Sequence, residues 1–197
     1  MTAHIIYAHP NNGSFNHAIL EVVRKALSQQ GIEATVSDLY AMNFDPVLKI
    51  EDRIKTKGDV KKEQDKISLA DCIITIYPVW WTQMPAILKG YIDRVFAYNF
   101  AFQLDENGFP IKLLKGKKGI IFSTFGHPYD YYEKEGYVTA FEKTVDSGIF
   151  DYVGIEVIRH FFFGAPVRKS EEERKNDLEE LGTELIVIFS DPTIIGN

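Results

Sequence analysis

The chain has 197 residues, 45% of them hydrophobic, and a formal net charge of −6. That length and apolar content suit one domain with a sizeable core, and the acidic balance leaves no basic face of the kind that nucleic-acid binders set against phosphate. The single cysteine, Cys72, cannot form an internal disulfide. The longest apolar run, Cys72 to Trp81, is too short to cross a bilayer, and Met1–Pro10 lacks a basic leader; the expectation is a cytoplasmic protein with no membrane insertion.

Residues Ala3–Ala8 form an apolar, β-rich run without strict alternation, the pattern of a strand covered on both faces. Asn16–Gln30 follows with Ile19, Leu20, Val23 and Leu27 on one helical face, and Gly31 ends it. Ala34–Asp38 reads as the second strand. A long connection, Leu39–Gly58, leads to a short polar helix over Asp59–Leu69. Cys72–Tyr77 is the third strand, and the helix Pro85–Phe96 opens on a proline at a permitted first-turn position. A second long connection, Ala97–Lys118, precedes the strand Gly119–Thr124, the helix Tyr137–Ile149 and the strand Ile155–Phe161. The last helix, Glu171–Phe189, begins after Ser170 with Glu171, Glu172 and Glu173 at the positive end of the helix dipole. Such alternation predicts an α/β fold of flavodoxin-like type in a single domain spanning 1–197. Its five-stranded parallel sheet has order 2-1-3-4-5, with helices on both faces.

Ligands of open α/β sheets sit at the carboxyl ends of the strands, so three post-strand loops carry the chemistry. The first runs from His9 to Asn16. Its small polar residues let backbone N–H groups turn toward an anion in front of a helix N-terminus, with His9, Ser14 and Asn16 as further donors; an ordinary turn with Asn16 as N-cap is the alternative. The loop lacks G-x-G-x-x-G and the P-loop pattern. The second, Pro78-Val79-Trp80-Trp81-Thr82-Gln83-Met84-Pro85, holds both tryptophans between two prolines and is a platform for a planar ring, or else a hydrophobic anchor or dimer contact. The third, Ser123-Thr124-Phe125-Gly126-His127-Pro128-Tyr129, adds hydroxyls and backbone donors and is followed by Tyr131 and Tyr132. The five histidines are scattered, so no metal site is expected, and no Gly-x-Ser-x-Gly elbow supports a hydrolase.

Four stretches together resemble the NAD(P)H:quinone oxidoreductases of DT-diaphorase type, a branch of the flavodoxin-like superfamily. They are Ala8-His9 with Ser14-Phe15-Asn16; Asp38 to Pro46; Ala70-Asp71 leading to Pro78 and Trp81; and Pro85 to Gly90 ending at Arg94-Val95-Phe96. The resemblance runs from residue 3 to about 165. It implies a tightly held flavin, FAD or, in shorter relatives, FMN, with NAD(P)H as co-substrate. It implies that His9, Ser14, Phe15 and Asn16 hold the phosphates, that Pro78, Val79, Trp81 and Thr82 border the ring with Trp80 beside them, and that Thr124 and Gly126 meet its polar edge with Phe125 crowding that edge. It further implies a homodimer with a quinone or similar flat acceptor bound between subunits. Three features depart from the family: Phe125 replaces a glycine, Trp80 replaces a glutamine, and Lys134–Phe141 contains no histidine.

The expected reaction is ping-pong transfer from NAD(P)H through the flavin to the acceptor, with Tyr131 or Tyr132 as donor to the substrate oxygen. A flavin-binding regulatory subunit of a transport protein is the rival reading, and turnover with menadione separates the two.

Overall fold

The computed structural model describes residues 1–50 and 58–191; part of the first long connection, 51–57, and the last residues, 192–197, lie outside the described residues. Strands β1 (Thr2–Tyr7), β2 (Glu33–Asp38), β3 (Cys72–Pro78), β6 (Lys118–Phe125) and β7 (Glu156–Gly164) form one parallel sheet of order β2-β1-β3-β6-β7. This is the expected flavodoxin-like order. The central strands β1, β3 and β6 are buried almost throughout, which is why they lack alternation, whereas the edge strand β2 is exposed over its first half.

Helices α1 (Phe15–Gln29) and α6 (Glu171–Ser190) cover one face, where Ile19, Val23, Leu27, Leu181, Leu185 and Phe189 pack on Ile5, Ile74 and Phe122. Helices α2 (Gly58–Leu69) and α3 (Ala86–Val95) cover the other with the segment after β6. Ser14 caps α1 by accepting from the His17 N–H, and Ser170 with Glu173 forms a capping box on α6.

Three elements differ from the sequence reading. The connection 97–118 folds into a hairpin of β4 (Phe102–Leu104) and β5 (Pro110–Lys112), closed by Asp105 Oδ1 accepting from the Asn107 and Phe109 N–H groups. The aromatic stretch after β6 is helical as α4 (Tyr129–Lys134). The helix expected over Tyr137–Ile149 is α5 (Tyr137–Phe141) running on into a π-helix, Glu142–Asp151, whose wider turn a 3.6-residue pattern does not reveal.

Packing fixes the start of the first connection, up to Pro46, as well. Asp38 Oδ1 accepts from the Tyr40 and Ala41 N–H groups. Arg94 donates to the Asp45 carbonyl at 2.7 Å and to Asp59 at 2.9 Å, with its guanidinium 5.1 Å from the Phe44 ring centre. A Cβ on Gly90 would stand 2.1 Å from the Pro46 oxygen, so only glycine admits this approach. The Asp38–Pro46 and Pro85–Phe96 stretches thus belong together because they are one packing unit.

Candidate functional site

A pocket of about 580 Å³ opens at the carboxyl edge of β1, β3 and β6, where the topology puts ligand sites in such sheets. The first loop supplies one wall: His9, Asn11, Gly13, Ser14, Phe15 and Asn16. The N–H groups of Phe15 and Asn16 open α1 and have no intrahelical partner, so they and the helix dipole offer an anion site. The turn is held by Asn11, whose Oδ1 accepts from the Gly13 N–H at 2.8 Å. Burial, opposed by a hydrogen bond to the Asn11 backbone, lowers the His9 pKa.

The second wall is Pro78, Val79 and Trp80, the third Thr124, Phe125 and Gly126. The Val79 N–H donates to the Thr124 carbonyl at 2.7 Å, which ties these two loops together. Asn16 Nδ2 donates to Thr124 Oγ1 at 2.8 Å, joining the first loop to the third. A Cβ on Gly126 would meet open space. Pro166, Val167 and Arg174 close the far side; Arg174 is positioned by donating to the Lys169 carbonyl at 2.7 Å. These three, from the turn after β7 and from α6, carried no sequence signal.

Trp81 and Thr82 stand outside these walls. They form the tip of a two-residue turn in which the Trp80 N–H donates to the Gln83 carbonyl and the Gln83 N–H to that of Trp80. Both tip residues adopt left-handed backbone, φ 52° and 58°, a conformation strained for side chains of this kind. Trp81 is 97% exposed, while Trp80 turns to the pocket with its ring 6.3 Å from that of His9. Tyr131 and Tyr132 also lie off the walls. Tyr131 is exposed beside His127, and buried Tyr132 stacks flat on Phe125 at 4.0 Å, backing that wall from behind.

The pocket fits a flavin by its donor chemistry. The phosphate end offers helix N–H groups and His9; the ring end offers apolar surface at Pro78, Val79 and Trp80 with polar edges at Thr124 and Gly126. Asn16 is 3% exposed, and its Oδ1 has no hydrogen-bond partner in the protein, a buried group placed to meet a ligand. A second cavity, 450 Å³ between β7 and α6, meets the third loop only at its end, Pro128 and Tyr129. Among the described residues no group of three or more His, Cys, Asp or Glu is placed for a metal ion, and no helix is long and apolar enough to cross a membrane.

The sequence profile described as flavodoxin-like fold matches residues 1–185. The chain is 37% identical over 181 residues to a Haemophilus influenzae protein named uncharacterized NAD(P)H oxidoreductase, with 89% of each chain covered. It is 32% identical over 215 residues to ribosyldihydronicotinamide dehydrogenase (quinone) of Pongo abelii, covering 96% of this chain and 93% of the other. Among solved structures, the NAD(P)H:quinone oxidoreductase from Methanothermobacter marburgensis superposes with a TM-score of 0.82 at 28% identity, over 94% of this chain and 96% of its own.

Proposed function

We propose, from the premise that the chain belongs to the flavodoxin-like fold family and to its NAD(P)H:quinone oxidoreductase branch, that it binds a flavin in the 580 Å³ pocket and reduces quinones or similar flat acceptors. The observation that carries this reading is the convergence of three post-strand loops, all expected from sequence, on one pocket with an anion-binding end and a flat apolar end.

When bound, the flavin supplies the two-electron exchange, first with the nicotinamide and then with the acceptor at one site, a ping-pong order. The chain's part is to hold and orient it. The first N–H groups of α1, with His9 and Ser14, take the phosphate. Arg174 across the pocket can engage a second phosphate or an adenine ring, which favours FAD; FMN is the alternative. Pro78, Val79, Trp80 and Phe125 exclude water from the ring, which strengthens any polar contact made there. Thr124 Oγ1 accepts from Asn16, so its own hydrogen remains free to donate toward the ring edge.

Trp81, Thr82 and Tyr131, beyond the walls, are assigned to the acceptor rather than to the flavin, and Tyr132 to supporting Phe125. Exposed Val47, Ile50, Trp81, Tyr98 and Phe109 supply apolar surface for a homodimer. The test is direct. Purified protein should be yellow, heat should release FAD identifiable by chromatography, and NAD(P)H should be consumed with menadione; protein that takes up no flavin under any reconstitution contradicts the reading.

A further inference from the structure

Beneath the pocket floor, on the face covered by α2 and α3, three polar side chains form a line that runs from the partly exposed π-helix inward to the buried Ser123. Asp146 Oδ1 lies 2.8 Å from His160 Nδ1, and His160 Nε2 lies 2.8 Å from Ser123 Oγ. The His160 side chain is 3% exposed and that of Asp146 18%, while Ser123 is sealed from solvent. Asp146 is carried by the π-helix, a form rarely kept and frequent at functional sites. An Asp–His–Ser line is the constellation of a hydrolase, but no substrate carbonyl can reach a sealed Ser123 Oγ.

The line can instead keep a proton. The Asp146 carboxylate accepts, so the imidazole presents Nδ1–H to it. Nε2 then either accepts from the Ser123 hydroxyl or carries a second proton and donates to Ser123 Oγ. In the second state the Ser123 hydrogen is released to turn toward Tyr77. That hydroxyl is buried opposite Ser123 in the β3–β6 register, close enough for Ser123 to oppose the rise in its pKa that burial causes, yet it has no hydrogen-bond partner in the protein. Protonation at Nε2 therefore gains a bond for an orphaned group rather than losing one.

Ser123 precedes Thr124 and Tyr77 precedes Pro78, and both successors are pocket walls. A strand rises about 3.3 Å per residue, so the line lies one residue beneath the floor. Asp146 is the charged group on His160. β3 and β6 bring only hydroxyls to it, Phe162 stacks on its ring at 3.9 Å, and Arg159 is turned away to pair with Glu184.

We propose that His160 is a positioning residue that takes up a proton at Nε2 when two-electron reduction leaves negative charge in the pocket above it, and releases it when that charge leaves. The proposal rests on the flavin reading. The overall reaction, NAD(P)H plus a proton plus quinone giving NAD(P)⁺ plus quinol, consumes one proton for each electron pair, and His160 holds one close by between the two halves.

The test is nitrogen NMR of imidazole-labelled protein with its flavin oxidised and then dithionite-reduced at one pH. Negative charge left in the pocket should raise the ratio of protonated to neutral His160 about tenfold on reduction. The pH dependence of the flavin midpoint potential should show a break in the parent protein that His160→Gln removes while flavin stays bound. Should that variant not fold, the parent NMR comparison decides alone. Identical His160 signals in the two redox states would overturn the proposal and leave the flavin reading standing. Protein that binds no flavin would remove both.

Discussion

Trp80 and Trp81 are adjacent and chemically identical, yet the turn that contains them sends one to the pocket wall and the other into solvent. Trp81→Ala should therefore change fold stability by no more than about 0.5 kcal/mol, while Trp80→Ala should release flavin more readily; thermal melting and fluorescence titration of the two variants check this. Glu63 is a different case. It is buried among His4, Ser37, Lys66 and Tyr91. Burial alone would raise its pKa, but His4, Lys66 and Ser37 outweigh that and bring it to about 2. A folded value below the unfolded one means stability that is present above about pH 4.5 and lost as pH falls toward 2. Glu63→Gln should cost roughly 3 kcal/mol at neutral pH and flatten that acid limb, read by urea denaturation across pH. His9, Ser14, Phe15 and Asn16, which line the pocket, were grouped from sequence because they are contiguous with a strand end. Sequence reasoning did not point to Arg174, Pro166 and Val167, which reach the pocket from the last turn and helix, and it set Trp81 against the ring with Trp80 beside it, whereas the turn puts Trp80 on the pocket wall and Trp81 in solvent.

The strands and most helices were legible because burial on both faces and amphipathic periodicity are written locally. The hairpin of β4 and β5 was not, since strands of three residues carry too little pattern, and neither was the π-helix. The long-range fit between the first connection and α3 is likewise invisible to periodicity. It rests on Gly90 against Pro46 and on Arg94 binding Asp45 and Asp59. Gly90→Ala forces the connection off the helix and should cost about 1–3 kcal/mol, while Lys89→Ala, one residue away and exposed in a surface pair with Asp93, should cost at most about 1 kcal/mol. Chemical denaturation of the pair measures the difference, and equal losses would show that the close approach does not matter.

For the whole molecule, the sheet order places the post-strand loops of β1, β3 and β6 along one edge, and the pocket is a consequence of that order. Exposed Val47, Ile50, Trp81, Tyr98 and Phe109 lie outside the pocket, and light scattering at micromolar concentration should give a dimer. The central claim is that this pocket works as a flavin site open in turn to nicotinamide and acceptor. Its most direct test is anaerobic mixing of the flavin-loaded protein with NADH or NADPH, followed by menadione, with the flavin absorbance recorded throughout. The account predicts that one nucleotide bleaches the flavin fully and that menadione restores it within the turnover time. A flavin that stays oxidised with both nucleotides, in protein that binds it stoichiometrically, would contradict it.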